Sequence, residues 1–176
     1  MKKKILCLVG GSGSGKSLLQ TYLEKEWNIK PVISYTTRGK RSPDEGGHYF
    51  VTEKDYESTN KEDMLAYTKY GDYHYWSLEK DLEDVNCYVI DEYGLKILKS
   101  IYGNKYDIIS VRLIINDYER YLRGIDEERI RRDNNKLISN IEDYDYVINN
   151  NHSVFYLTDN IDSIVKEEGL NVLEKE

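Results

Sequence analysis

The chain has 176 residues, of which 39% are hydrophobic, and its 25 basic and 32 acidic side chains give a formal net charge of −7. This length suits a single domain with a substantial core, and the hydrophobic content excludes a chain that is disordered by composition. The acidic excess argues against nucleic acid as the main partner, because proteins that bind nucleic acid usually present a basic face.

The first predicted element is a short apolar strand at 5–9, which runs into a glycine-rich turn and then into a helix at 18–27. The turn carries the spacing Gly10-x-x-x-x-Gly15-Lys16-Ser17, the pattern of a phosphate-binding loop. Glycines let successive backbone N–H groups point at a phosphate chain, and the positive end of the following helix dipole faces the same group. The alternative is a turn that binds nothing, but the strand–turn–helix context favours the loop.

In such a loop the lysine reaches the terminal phosphates and the next hydroxyl takes one place on Mg²⁺. The pattern therefore predicts a site for a nucleoside triphosphate, with Lys16 and Ser17 in those two roles. The loop residues predicted to bind the triphosphate are Gly10, Ser12, Gly13, Ser14, Gly15, Lys16 and Ser17.

Cysteine use and hydropathy bear on the compartment. Cys7 and Cys87 each lie within an apolar run and are predicted to be small buried side chains, which fits a reducing, cytoplasmic compartment. The apolar run at 5–9 is shorter than the roughly 7–15 residues of a signal-peptide core. No other stretch is long and apolar enough to span a membrane, so no membrane partner is expected.

The middle of the chain is predicted to form mainly short strands. The predicted elements are strands at 30–35 and 48–52, a helix at 53–58 with Thr52 as its N-cap, a helical turn near 60–64, and a hairpin of 65–70 with 73–76. We therefore expect residues 34–77 to form a small β-rich lobe that is inserted between a parallel strand and the next helix.

Strands and helices alternate over the rest of the chain. The predicted helices are at 78–83, 93–101, 117–122, 127–141 and 161–168, and the predicted strands are at 86–90, 106–115 and 146–148. This alternation predicts a three-layer α/β fold.

A second group of phosphate-binding side chains follows the strand at 30–35. Arg38 and Arg41 lie three positions apart in a polar stretch with hydroxyls on either side, and Tyr49 follows. Two such arginines can clamp one phosphate, to which a phenol adds a donor. A solvated polar loop would have the same composition. Because the chain already holds a phosphate-binding loop, a second clamp predicts a second phosphorylated ligand and phosphoryl transfer between the two.

These motifs together resemble those of the guanylate kinases, within the nucleoside monophosphate kinases. The resemblance rests on the phosphate-binding loop, Ser34-Tyr35-Thr36-Thr37-Arg38-Gly39-Lys40-Arg41, Gly47-x-Tyr49, Tyr75-Trp76-Ser77 and Asp91. It implies a P-loop kinase fold with a mostly parallel sheet: a core at 1–33 and 78–176, a nucleoside monophosphate-binding lobe at 34–77 and a short lid at about 123–132. It also implies transfer of a phosphoryl group from ATP, with Mg²⁺, to GMP or dGMP.

The resemblance assigns roles residue by residue. It implies that Arg38, Arg41, Tyr49 and Tyr75 hold the acceptor phosphate, and that Ser34, Ser77 and Asp91 face or support the guanine base. Lys16, Arg38, Arg41, Arg123 and Arg132 are the residues it makes catalytic. Arg123 matches a lid arginine, and a second lid arginine falls among Arg129, Arg131 and Arg132. Asn149 matches a loop position near adenine.

The chain also departs from the family pattern. Ala66 stands where the family has a glutamate that reads guanine N–H groups, and Val89 replaces the first acid of an Asp-x-Asp pair. Either Asp44 or Glu45 can fill the acidic position of the loop. These changes leave open another nucleoside monophosphate or a phosphorylated sugar as acceptor. A non-catalytic interaction domain is a further alternative, and the chain is expected to be a monomer or a dimer.

Overall fold

The computed structural model describes residues 2–136 and 140–170. The strands in this part of the chain are β1 (Lys3–Gly10), β2 (Lys30–Pro31), β3 (Ser34–Thr36), β4 (His48–Phe50), β5 (Met64–Tyr70), β6 (Tyr73–Leu78), β7 (Val85–Val89), β8 (Tyr106–Ile114) and β9 (Tyr146–Asn149). The helices are α1 (Lys16–Trp27), α2 (Glu53–Ser58), α3 (Glu92–Tyr102), α4 (Asp117–Leu122), α5 (Glu127–Lys136) and α6 (Val154–Glu167). No helix in these ranges is long and apolar enough to cross a membrane.

A five-stranded sheet forms the centre of the fold, in the order β2-β7-β1-β8-β9. All of its strand pairs are parallel. Neighbouring parallel strands need crossover connections, which here contain the helices. The carboxyl ends of the strands therefore meet at one edge, where Gly10 ends β1 and the phosphate-binding loop begins.

The alternating side chains of β1 build two cores. Leu6 and Leu8 pack with side chains of α1 and α6 on one face of the sheet. Ile5, Cys7 and Val9 pack with side chains of α3 on the other face. All five side chains are almost completely buried, as expected for a central strand of a parallel sheet. Helices on both faces confirm the predicted three-layer α/β fold.

A second sheet has four strands in the order β4-β3-β6-β5. β3 pairs parallel with β4, whereas β6 is antiparallel to both of its neighbours. The single strand predicted at 30–35 is wrong, because β2 belongs to the first sheet and β3 to the second. The Val32 N–H still donates to the Cys87 carbonyl at 2.8 Å before the chain leaves the first sheet. Pro31, which has no backbone N–H for a strand ladder, ends β2 and was the one sign in this run that the strand stops there.

Several helix predictions also differ from the structure. The helix predicted at 161–168 begins at Val154, where the Ser153 side chain caps it. Its first three residues, 154–156, are exposed, but the buried Leu157 continues the apolar period of Ile161 and Ile164. The helix predicted at 78–83 is only a 3₁₀ turn, Glu79–Asp81. The helix predicted at 127–141 is confirmed over Glu127–Lys136, and 137–139 lie outside the described residues. Its predicted end is wrong, because Asn140 is not helical and Ile141 begins a 3₁₀ turn, Ile141–Asp143. Thr52 does cap α2, accepting from the Asp55 N–H, as predicted.

The predicted hairpin and the predicted burial of the two cysteines are confirmed. The hairpin of β5 and β6 turns through Gly71 at a φ of 60°, and Cys7 and Cys87 are fully buried. The division of the chain into a core, a lobe at 34–77 and a lid stays a prediction.

Candidate active site

The phosphate-binding loop joins β1 to α1 and depends on two glycines in the left-handed backbone region. Gly13 has a φ of 77° and Gly15 a φ of 100°, where other residues would be strained. A Cβ at Gly15 would also lie 2.7 Å from the Asn150 side-chain nitrogen. The loop conformation therefore requires glycine at position 15, which the motif specifies, and favours glycine at position 13, which the motif leaves open.

Lys16 is held across the mouth of this loop. Its Nζ donates to the Gly10 carbonyl at 2.7 Å and to the Gly11 carbonyl at 2.8 Å. Burial lowers the pKa of Lys16 to about 8, against the opposing attraction of the Asp133 carboxylate. The ammonium group thus stays mostly protonated near neutral pH, beside the loop carbonyls that it donates to.

The Ser17 side chain fits the predicted role in holding Mg²⁺. It lies in the first turn of α1 and is exposed. Its hydroxyl makes no hydrogen bond to any residue in the described ranges, so both oxygen lone pairs are available. Mg²⁺ prefers oxygen ligands and usually takes few from the protein beside those of the phosphates.

Two arginines of the predicted lid reach the loop, and a third points into solvent. Arg123 donates to the Gly13 carbonyl at 3.0 Å and to the Asn150 carbonyl at 2.9 Å. Arg129 approaches the Ser12 hydroxyl at 3.5 Å. Arg131 instead pairs with Glu127 on the outer face of α5, where both side chains are more than 70% exposed.

Arg132 lies between the two predicted phosphate sites. Its guanidinium donates to the Asp133 carboxylate at 3.1 Å, and Asp133 in turn accepts from the loop. On its other side the same guanidinium lies 5.0 Å from the ring centre of Tyr70, at the end of β5. Tyr70 packs edge-on against Tyr75, a predicted acceptor residue. Arg132 therefore links the loop to the acceptor hairpin.

Arg120 and Asp133 are site residues that the sequence reasoning missed. Arg120 is 2% exposed, and its guanidinium donates to the Ser12 carbonyl at 2.9 Å and to Asp133 at 2.8 Å. The Asp133 carboxylate also accepts the Ser12 backbone N–H at 2.6 Å. Both residues lie in strongly charged helices whose sequence gives no sign of which charges face inward.

The asparagine contact to the loop comes from a neighbour of the predicted residue. Asn150 is 3% exposed and donates to the Ser14 carbonyl at 2.9 Å. Asn149 is exposed and accepts from the backbone and side chain of Asn151. A role for Asn149 near adenine stays a prediction.

Arg38 anchors the acceptor clamp. Its guanidinium donates to both oxygens of Glu45, at 2.8 and 3.1 Å, and its Nε donates to the Tyr75 hydroxyl at 3.2 Å. These bonds from Arg38, together with the Arg41 backbone N–H, lower the pKa of Glu45 to about 2. Glu45 rather than Asp44 therefore pairs with the clamp arginine. The exposed Arg41 guanidinium has no polar partner within 2–136 or 140–170.

Other predicted acceptor residues lie around this clamp. Tyr49 is half exposed, with its ring centre 4.9 Å from that of Tyr35. The Ser34 hydroxyl lies 3.3 Å from Nδ1 of His48, whose ring packs edge-on against Tyr75. Burial, followed by the charge of Arg38, lowers the pKa of His48. The histidine is thus neutral near pH 7 and adds no charge to the clamp.

Two of the predicted base-reading residues, Ser77 and Asp91, make hydrogen bonds within the protein. The Ser77 hydroxyl lies 2.7 Å from the Tyr88 hydroxyl, and both side chains are buried. Ala66 pairs with Ser77 across β5 and β6 and is itself buried. Asp91 caps α3 by accepting from the Gly94 N–H at 2.7 Å. Ala66 therefore supplies no polar group to a base beside the Ser77 hydroxyl. The exposed Asp91 carboxylate lies by the same strand, where its Oδ1 accepts from the Thr68 hydroxyl at 3.3 Å.

Comparisons with known proteins point the same way. The family model described as guanylate kinase matches residues 2–167. A guanylate kinase of Pseudoalteromonas translucida (strain TAC 125) is 28% identical over 184 aligned positions, which cover 96% of this chain and 89% of that protein. The crystal structure of guanylate kinase from Anaplasma phagocytophilum aligns with a TM-score of 0.71 and 23% identity, over 95% of this chain and 86% of that one. The last likeness shows the shared fold.

Proposed function

Because the chain belongs to the guanylate kinase family, we propose that it transfers the terminal phosphoryl group of ATP to GMP or dGMP. The observation that carries the proposal is the position of Arg132, which contacts Asp133 at the phosphate-binding loop and Tyr70 at the acceptor hairpin. Phosphoryl transfer needs a donor and an acceptor phosphate in line, with positive charge between them. Arg132 supplies a guanidinium at that junction.

On the donor side, the loop N–H groups and Lys16 bind the triphosphate of ATP. A Mg²⁺ ion bound with ATP would be held by the Ser17 hydroxyl and would neutralise charge on the phosphates. Lys16 leaves its carbonyl partners for the phosphates, which requires only a small movement of a flexible side chain. Arg123 and Arg132 approach the moving phosphoryl group from the lid. We propose the lid at about 123–132 as the segment that closes over ATP.

On the acceptor side, Arg38 and Arg41 hold the monophosphate, with the hydroxyls of Tyr49 and Tyr75 as further donors. The Arg38 Nε donates to the Tyr75 hydroxyl. Its two terminal nitrogens, which bond to Glu45 and to the Gly39 carbonyl, would be shared with the phosphate. Partial neutralisation lets the acceptor oxygen approach the donor. That oxygen is already ionised at neutral pH, so no side chain needs to act as general base. The proposed acceptor lobe is 34–77.

The base-reading positions favour a second candidate, in which the same transfer reaches another nucleoside monophosphate or a phosphorylated sugar. The Ser77 hydroxyl is bonded to Tyr88, and Ala66 offers no polar atom to a base. A buried carboxylate that is left unpaired by the wrong base gives strong selection, and Ala66 removes that carboxylate. We therefore expect weaker selection for guanine than a glutamate at this position would give.

The proposed transfer is tested by incubating the protein with ATP labelled in its terminal phosphate and with GMP. Label should move to GDP, and Lys16→Ala should abolish both this transfer and most of the ATP binding. Lys25→Ala is the matched control, because Lys25 is an exposed lysine of the same helix. If the unmodified protein bound no ATP, a non-catalytic interaction domain would be the better description.

A further inference from the structure

The carboxylate of Asp133, a residue of α5, contacts the phosphate-binding loop and accepts hydrogen bonds from three residues. Its Oδ2 accepts the Ser12 backbone N–H at 2.6 Å and the Arg120 guanidinium at 2.8 Å. Its Oδ1 accepts from Arg132 at 3.1 Å. Only 9% of Asp133 is exposed. The side chain is therefore part of the loop structure and does not belong to the solvated face of α5.

The charge of this carboxylate is retained despite its burial. Burial alone would raise the pKa of Asp133, but hydrogen bonds from Ser12 and Arg132 outweigh it and bring the pKa below its ordinary value. Asp133 is thus an anion at neutral pH. Its partners are a backbone N–H and arginines, which are the donors that phosphate oxygens also prefer.

A phosphate oxygen and this carboxylate need the same donor. Ser12 contributes one of the N–H groups of the loop, and a strong, short bond to Asp133 already uses it. Arg120 strengthens this arrangement, because its guanidinium donates both to the Asp133 carboxylate and, at 2.9 Å, to the Ser12 carbonyl. The negative charge would moreover repel a triphosphate at this short range.

We propose that Asp133 is an internal competitor of ATP: its carboxylate takes an anion position of the phosphate-binding loop, from which a phosphate oxygen must displace it. The inference rests on the proposed function for ATP as donor. ATP binding then requires the form in which Ser12 is released, and the apparent affinity falls by the fraction of molecules in that form. Because α5 carries both Asp133 and Arg132, displacement of the carboxylate also frees a lid arginine for the phosphates.

The test compares ATP binding by the unmodified protein, Asp133→Asn and Glu127→Gln, measured by calorimetry without an acceptor. Each variant removes one negative charge from α5, but only Asp133 contacts the loop, because Glu127 pairs with Arg131 in solvent. We expect Asp133→Asn to lower the Kd for ATP about tenfold, and Glu127→Gln to change it less than about twofold. Equal or weaker binding by Asp133→Asn would overturn the inference and leave the donor role intact. No ATP binding by any of the three proteins would overturn both.

A measurement on the unmodified protein keeps the inference testable if Asp133→Asn does not fold. Hydrogen exchange of the Ser12 amide, followed by NMR without nucleotide, should be slow, as expected for a strong bond to a buried acceptor. The exposed Gly46 amide in the acceptor loop serves as a reference for free exchange. Exchange of Ser12 as fast as that of Gly46 would show that the carboxylate does not hold the loop, and would contradict the inference.

Discussion

Arg38 and Glu45 form a two-point ion pair in the acceptor loop, with nitrogen–oxygen distances of 2.8 and 3.1 Å. The Glu45 carboxylate offers two neighbouring oxygens, as a tetrahedral phosphate also can, so the pair shows that the Arg38 guanidinium is oriented for bidentate anion binding. Of the two neighbouring acids, Glu45 and not Asp44 bonds to Arg38.

Removing the clamp should affect the acceptor and spare the donor. We expect Arg38→Ala to raise the KM for GMP at least about tenfold, because a charge-assisted pair of bonds contributes roughly 1.5–3 kcal/mol. The dissociation constant for ATP should change little. Steady-state kinetics at saturating ATP and calorimetry with ATP alone measure the two quantities.

Arg41→Ala should act in the same direction, and Lys40→Ala is the control within the same loop. Lys40 is exposed and bonds to the Pro43 carbonyl, so its removal should leave both constants nearly unchanged. Equal losses of ATP and GMP binding in Arg38→Ala would argue against two separate phosphate sites.

The ion pair also predicts a pH dependence of stability. The pKa of Glu45 falls from 4.5 to about 2 on folding, so its contribution is present above pH 4.5 and is lost as the pH falls towards about 2. Glu45→Gln should therefore lower the melting temperature at pH 6, with a difference from the unmodified protein that shrinks steadily below about pH 4.5. Calorimetric scans across this range measure it.

Asp44→Asn is the matched control for this dependence, because Asp44 is the exposed neighbouring acid and bonds to no side chain in the described part of the protein. A difference that stayed constant down to pH 2 would show that the ionised carboxylate of Glu45 does not stabilise the loop.

The buried bond between Ser77 and Tyr88 predicts a coupled effect on stability. Tyr88→Phe leaves the Ser77 hydroxyl without its partner and should lower the free energy of unfolding by about 1–3 kcal/mol. Removing both hydroxyls, in Ser77→Ala with Tyr88→Phe, should cost less than the two single changes added together. Denaturant unfolding of the four proteins gives the coupling energy, and strict additivity would mean that the hydroxyls are not bonded.

Two neighbouring arginines of α5 should differ sharply in their effect on turnover. Arg132→Ala should lower kcat about a hundredfold or more, because it removes the guanidinium between the two phosphate sites. Arg131→Ala should leave kcat within about twofold, since Arg131 pairs with Glu127 in solvent. Steady-state kinetics with saturating ATP and GMP compare them, and similar losses in both would place the catalytic arginine elsewhere.

The local parts of the site were predictable from the sequence, whereas its long-range contacts were not. The loop from Gly10 to Ser17 and the clamp around Arg38 are contiguous in sequence, and the spacing of their residues predicts phosphate binding. The bond from Ser12 to Asp133 joins residues 121 positions apart, and the bond from Asn150 to Ser14 joins residues 136 apart. Such pairs depend on how α5 and the end of β9 pack onto the loop.

Tertiary packing also accounts for the helix and strand boundaries that were predicted wrongly. The apolar pattern located α6 by its buried residues Ile161, Ile164 and Val165. The same period reaches back to the buried Leu157, and only the exposed residues 154–156 before it carry no core signal. Likewise, the change of sheet after Pro31 depends on which backbone groups pair, which side-chain pattern does not encode. In both cases the tertiary packing decides the boundary.

The most direct test of phosphoryl transfer from ATP to GMP or dGMP is an ADP-release assay at a fixed, saturating ATP concentration with each acceptor in turn. GMP, dGMP, the other nucleoside monophosphates and ribose phosphates are compared by kcat/KM. We expect the highest kcat/KM for GMP and dGMP. The ratio of these values to those of the other nucleoside monophosphates should be smaller than a glutamate at position 66 would give. Turnover of GMP no greater than that of the other acceptors would contradict this expectation.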